Sequence, residues 1–556
     1  MRIRSLGTRF AIPCVAVGLI LSGCSSGSDV TPGTASIGST NDINAHDVAD
    51  LRDGGNLRLV LSSFPESFNF LQIDGGTEST ADVIEPMLPS PFTSNAAGEL
   101  AINHDYFTDI ELTGTDPQQV TYTINPQAVW TDGTPITWED LRSQAAALSG
   151  RDPGFLVSST SGFERVEKVE RGVDDRQAVV TFAKPYAEWQ GQFSPLYPKA
   201  TTESVAAFND RDRDGLAVSA GPFQLSDIDR SQNRITLSRN PSWWGATPKL
   251  DTITFSVLDS SAWLPAIQNN ELDIAYMSGI ENVTAAKQAP GVVLRRTPEP
   301  SWSHITFNGA PGSLLEDPQL RIAISKAIDR QSIVNASQNG VVDDPKPLNN
   351  HIYMQGQKGY QDNSAPISFD PAAAAQMLDD LGWKLNGDVR EKDGRRLELR
   401  DVMYQQDGWV QTAQIVQQNL AAVGVKLIIQ TVPGSGLFKD VIDPGNFELA
   451  QFSWGGSVLP LGALPQIYAY DPDNLQGNKA RIGSPELNAL IERTMSELDP
   501  VKAMELANQA DQMIFAEGYS IPLQQASGTY AVRENLANYG AFGLASADYT
   551  KVGFLK

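Results

Sequence analysis

Both cysteines of this 556-residue chain, Cys14 and Cys24, fall within its first 24 residues. Whatever folds after them has no disulfide, no thiolate nucleophile and no Cys-ligated metal, and must be held together by its core alone. The same 24 residues say where that happens. Arg2, Arg4 and Arg9 form a positive segment and residues 10–21 an apolar run. The run is about half the roughly 20 residues a membrane helix needs, so 1–23 reads as a signal peptide. Residues 24–49 are rich in Ser, Gly, Thr and Asp without apolar periodicity, and read as a flexible tether. The roughly 500 residues beyond exceed what one core supports, which predicts two or more lobes. No repeat of 20–50 residues is present, and this excludes solenoids and propellers. The formal charge is −24, and −24 less the three leader arginines is −27. A body this acidic repels nucleic acid and anionic lipid headgroups.

Strands and helices alternate along the body. Residues 57–61, 178–182, 234–237 and 252–257 are apolar or β-branched runs bounded by turn residues. Thr137 with Asp140 resembles a capping box that opens a helix to about Ser149. Asp370-Pro371, Ser484-Pro485 and Asp499-Pro500 each pair an N-cap with a proline at the first helical position, and Gly382 and Gly518 supply stops. Residues 412–423 read as a helix, Gly424 as its cap and 425–431 as the next strand, the half-crossover of an α/β lobe.

Six stretches in order carry a resemblance. They are AVWTDGTPITWEDL (128–141), GPFQLSDIDRSQNRITLSRNPSWWG (221–245), LRIAISKAIDRQSIVNA (320–336), and the segments 369–382, 421–429 and 447–455. Together they are similar to the extracellular solute-binding family 5, the oligopeptide-, dipeptide- and nickel-binding proteins of ABC importers. Leu21-Ser22-Gly23-Cys24 likewise resembles the bacterial lipobox, which implies that Cys24 is diacylated. The excess of Arg over Lys, with abundant Ala, Asp and Gly, points to a GC-rich actinobacterial gene. The resemblance implies an α/β fold, a two-lobed periplasmic-binding-protein clamshell with an extra subdomain inserted in the first lobe. Lobe one would use 50–87, 217–299 and 525–556, the extra subdomain 88–216, and lobe two 300–524. It further implies a monomer, held to the outer face of the membrane by its lipid, that passes a solute to permease subunits. The motif residues themselves have plainer jobs: Asp132-Gly133 as a turn, Asn240-Pro241 with Trp243 and Trp244 as a turn and its packing, Asp329-Arg330 as an ion pair.

Enzyme chemistry finds little purchase. HExxH, GxxxxGK and SxxK are absent, and none of His46, His104, His304 and His351 stands in metal-ligand spacing with another. Asp210, Asp212 and Asp214 with Gly215 have the opening of a calcium loop, but Gly221 occupies the position of its bidentate Glu, and Arg211 and Arg213 read as internal partners. Neither metal nor cofactor is expected.

In the family the solute is buried between the lobes, and peptide binders hold the α-amine with an Asp three residues after a Trp. Here Ser457 follows Trp454 at that spacing. A hydroxyl brings no charge, so the sequence predicts a preference for ligands without a cationic terminus, unless an acid such as Glu66 or Asp74 substitutes. The resemblance places Phe64, Asn69, Trp302, Tyr404, Trp409, Trp454 and Ser457 on the cleft, a set suited to a peptide-like or glycolipid-like ligand. Two functions follow: delivery of a peptide-like solute to an importer, or a non-transport role in cell-envelope glycolipid assembly, to which some mycobacterial lipoproteins of the family are linked. The anchor is directly testable. Cys24→Ala should move the protein from the membrane fraction into the medium, and equal membrane retention of the variant would refute acylation at Cys24.

Overall fold

The computed structural model describes residues 40–433 and 436–556; Cys24, the signal peptide and residues 24–39 of the expected tether lie outside them. Lobe one is built on the strand Asn56–Leu61, whose Leu57, Leu59 and Leu61 alternate into the core. It pairs in parallel with Thr252–Val257, and the sheet continues antiparallel through Arg234–Arg239 to Phe223–Asp229. A smaller sheet sets Thr529–Arg533 between Ile274–Tyr276 and Val292–Arg296. The inserted subdomain is an antiparallel sheet of Phe107–Thr115, Gln118–Ile124, Gln177–Phe182 and Val166–Arg171. Helix Trp138–Leu148 packs on it and opens where Asp140 accepts the Thr137 N–H at 2.7 Å. Lobe two is a mixed five-stranded sheet in the order Lys426–Val432, Glu398–Tyr404, Leu449–Trp454, Trp302–Phe307, Ser520–Gln525. Its helices Pro371–Asp380, Pro485–Ser496 and Pro500–Ala516 start at Asp370, Ser484 and Asp499, whose side chains accept first-turn N–H groups.

The chain passes between the lobes' sheets at two places, 297–301 and 526–528, and these crossings are bonded to each other. Ala526 donates to Ser301 at 2.8 Å, Thr297 to Gly528 at 3.1 Å and Glu299 to Ala526 at 3.2 Å. Gly528 has a φ of +54°, and a Cβ there would sit 1.8 Å from the Thr297 carbonyl oxygen. Only glycine lets the two crossings lie this close.

Four sequence expectations need correction. Residues 40–49 belong to the body: Asp42 pairs with Ala541, Asn44 donates to Leu536 at 3.0 Å, and the Thr297 hydroxyl donates to Thr40 at 2.8 Å. Their partners lie hundreds of positions away, where no local composition reveals them. Asp329 and Arg330 form no ion pair. Asp329 caps helix Arg330–Gln338, and buried Arg330 donates to the carbonyls of Leu348 and Pro522. The helix read from 412 begins at Asp407. In 210–215, Arg213 pairs with Asp74 and Asp210, but Asp212 turns inward to accept from Thr201 at 2.8 Å.

The hinge glycine gives a clear test. Gly528→Ala should lower unfolding free energy by about 2 kcal/mol or more, from left-handed backbone and the contact with Thr297. An unchanged denaturation midpoint would show that the crossings can separate freely.

Candidate functional site

A cleft of about 1160 Å³ opens between lobe two and the combined wall of lobe one and its subdomain. Strand register builds its aromatic side. Trp302–Phe307 and Leu449–Trp454 pair antiparallel, with Trp302 opposite Trp454 and His304 opposite Phe452. Residues two apart share a face, so four rings collect at the strand ends that meet the cleft. Trp454 lies parallel to His304 within 8°, and His304 meets Phe452 edge-on at 4.3 Å between centroids. His304 is fully buried, and that burial, with His351 nearby, pushes its imidazole down to about 3. It is a neutral packing ring.

His351 differs. Its Nδ1 is 2.8 Å from Asp511, a buried carboxylate that also accepts the His351 N–H and the Asn363 amide. With Nδ1 engaged by Asp511, Nε2 is left without a partner, in a residue that lines the cleft beside Trp302.

Of the seven residues assigned to the cleft from sequence, Trp302, Trp454 and Ser457 line it. The Ser457 hydroxyl is committed to its own turn, donating to the Leu459 carbonyl at 3.0 Å and accepting from the Leu459 N–H at 3.1 Å. Phe64, Asn69, Tyr404 and Trp409 are placed elsewhere. Arg230 covers the Phe64 ring at 4.7 Å, and Asn69 is fully buried, its amide donating to Phe208 at 2.8 Å. From the early part of the chain, Phe70 and the helix Glu78–Ile84 reach the cleft instead. Tyr404 ends a strand one place further out in the sheet and packs on Phe438, while Trp409 sits in the first turn of helix Asp407–Ala421. Trp243, read as packing only, stands on the wall.

The larger omission is charge. Asp82, Glu85, Asp105, Glu188 and Asp548 line the cleft, and among the described residues no Lys or Arg does. Neither Glu66 nor Asp74, the expected substitutes, is among them. Asp82 and Glu85 are open to the cleft yet enclosed by surrounding protein. That enclosure, with the charges of Glu78 and Glu85, pushes Asp82 up to about 8. Glu85 is raised by the same enclosure and partly relieved by the Tyr549 hydroxyl, which donates to it at 2.8 Å. The spacing 78, 82, 85 puts three acids on one helical face, a signal the sequence carries but that 66 acidic residues obscure. Among the described residues no group of three or more His, Cys, Asp or Glu is arranged to hold a metal ion.

Glu188 does a different job. It comes from the subdomain, is 6% exposed, and accepts the N–H groups of Leu461 and Gly462 in lobe two at 2.9 and 2.6 Å. Arg165 adds a second tie, donating to Glu492 at 2.6 Å. Burial pushes the Glu188 carboxyl up to about 7 against the pull of the two N–H groups. The closed arrangement therefore holds a proton more firmly than an opened one, where the residue titrates in its ordinary range. Closure gains from proton uptake below that range and loses the gain as pH rises through about 7. Glu188→Ala should open the protein, with each lost buried hydrogen bond costing about 1–3 kcal/mol. Small-angle scattering should show a larger radius of gyration for the variant, and should show wild type compacting from pH 8 to pH 5 while the variant does not. Identical curves for both proteins at both pH values would refute the tie.

Comparison with known proteins agrees with this architecture. Residues 108–475 match the bacterial extracellular solute-binding proteins, family 5. The oligopeptide-binding protein OppA of Mycobacterium tuberculosis is 51% identical over 551 residues, covering 98% of this chain and 93% of that protein. Among solved structures, the periplasmic EDTA-binding protein EppA superposes with a TM-score of 0.85 at 24% identity, over 94% of this chain and 99% of that one. The oligopeptide-binding protein AppA from Bacillus subtilis, in complex with a nonapeptide, gives 0.78 at 19% identity, over 91% and 100%. At these identities the two structures speak to the fold, a two-lobed clamshell. Sequence and architecture together show that the chain belongs to the bacterial extracellular solute-binding proteins of family 5.

Proposed function

We propose that this protein captures peptides in the cleft between its lobes and delivers them to an ABC importer. The observation that carries the reading is the cleft itself, whose volume exceeds the roughly 300–1,000 Å³ of small-molecule pockets. One wall carries a cross-strand pair of tryptophans, Trp302 and Trp454, rather than a single polar niche. The 51% identity to a protein named as oligopeptide-binding supports the same ligand class. In this reading Cys24 carries the lipid anchor, the protein works as a monomer on the outer face of the membrane, and permease subunits are its partners. It performs no chemistry. His351 with Asp511 is an acid–base pair on the wall, but its Nε2 bonds to no hydroxyl or other nucleophile. A glycolipid with an anionic headgroup would meet five carboxylates and no Lys or Arg there.

Native mass spectrometry of the protein purified from its own host tests the reading: co-purified peptides are expected, and a glycolipid or an empty cleft would overturn it. Trp454→Ala, by removing half of the tryptophan pair, should weaken binding of the recovered peptide by about 2 kcal/mol, roughly thirtyfold. Calorimetry showing unchanged affinity would take Trp454 out of the site.

A further inference from the structure

The wall chemistry narrows the ligand further, granting the peptide reading. We propose that the cleft selects cationic peptides, with an ammonium or guanidinium group lodged against Asp82 and Glu85.

Three observations carry this. The five carboxylates on the wall face no Lys or Arg among the lining residues, so the charge must be answered from elsewhere. Three of the five are answered within the protein: Glu188 by the N–H groups of Leu461 and Gly462, Asp548 by Lys551 at 2.9 Å, and Asp105 by the charge of the same Lys551. Asp82 has no ion-pair or hydrogen-bond partner among the described residues, and Glu85 has only the Tyr549 hydroxyl. They stand three positions apart at the end of one helix, close enough for a single cation to meet both.

The second observation is independent of charge. Buried polar groups in folded proteins are almost always paired. Yet on the same wall both amide atoms of Gln192 and the hydroxyl of Tyr468, each residue 2% exposed, have no partner. Nor does His351 Nε2, in a residue 4% exposed. Gln192 comes from the subdomain and the other two from lobe two, so residues with unmet hydrogen-bonding capacity line the cleft on both sides. A peptide backbone, with alternating donors and acceptors, is suited to supply it.

The third is what the wall lacks. A ligand carboxylate would find no cation, so acidic side chains are disfavoured and a free C-terminus gains no ion pair. The departure at Ser457 is thus no barrier to a cationic ligand, because the charge partner has moved to the opposite lobe. Enclosure leaves Asp82 holding its proton more firmly than an ordinary carboxyl, and a docked cation reverses that preference. Binding near neutral pH therefore releases a proton.

A randomised hexapeptide library, incubated with the full mature protein and recovered by elution and mass spectrometry, tests the proposal. Bound peptides should be enriched in Lys and Arg and depleted in Asp and Glu by roughly tenfold or more relative to the library, the size of one charge-pair difference. In the Asp82→Asn, Glu85→Gln double variant the enrichment should vanish while peptides are still recovered. Both side chains are exposed, so the variant should fold, and its melting curve checks that it has. Calorimetry of a recovered lysine peptide in buffers of different ionisation enthalpy should show proton release from wild type and none from the variant. Bound peptides with the library's own charge distribution would overturn cation selection alone, as would enrichment that survives in the variant. Recovery of no peptide by wild type would overturn the peptide reading, and this inference with it.

Discussion

The bonded pair of crossings at 297–301 and 526–528 is the constraint on which the rest of the molecule depends. Each lobe closes its own sheet, so the lobes share only these two stretches of backbone, tied by three N–H to carbonyl bonds. Two parallel strips permit bending about the line they define but oppose shear and twist. The strand that leaves one crossing begins with Trp302, and the strand that enters the other ends at Gln525, with Trp302 and Gln525 directly paired. The tryptophan wall is therefore set by the same few residues that set the pivot, and Gly528 is the point where neither can give.

From that pivot the cleft acquires two unlike walls. Lobe two contributes rings, while the end of helix Glu78–Ile84, the subdomain and the C-terminal segment contribute acids. Glu188 joins the two at the far side, spending its carboxylate on backbone N–H groups rather than on ligand. One acid therefore helps shut the cleft, while Asp82 and Glu85 stay free of such ties on its wall.

Much of the fold was legible in the sequence because its signals are local. Asp370-Pro371, Ser484-Pro485 and Asp499-Pro500 each begin a helix where the pattern says, since cap and proline act within one turn. Gly424 ends a helix and a strand follows, for the same reason. The cleft wall was legible only where order along the chain carries position, at Trp302, Trp454 and Ser457. Asp82 and Glu85 escaped notice because an acid on a helix is ordinary until the tertiary fold decides which way that helix faces. Tyr404 and Asn69 were misplaced for the converse reason: their neighbours in sequence are conspicuous, but sheet order and burial turn them away from the cleft. The strap at 40–49 looked like tether because everything that holds it lies at the other end of the chain.

That strap has a mechanical consequence. Thr40 and Asp42 are stitched to Thr297 and Arg296, beside the crossings, and Arg295 braces the same strap through the Ile43 carbonyl. A force applied through the N-terminus enters the body at the pivot and not at the tip of either arm. Its lever arm about the bending axis is short, so it exerts little torque on the cleft. A body pulled from this point is swung or dragged without being pried open.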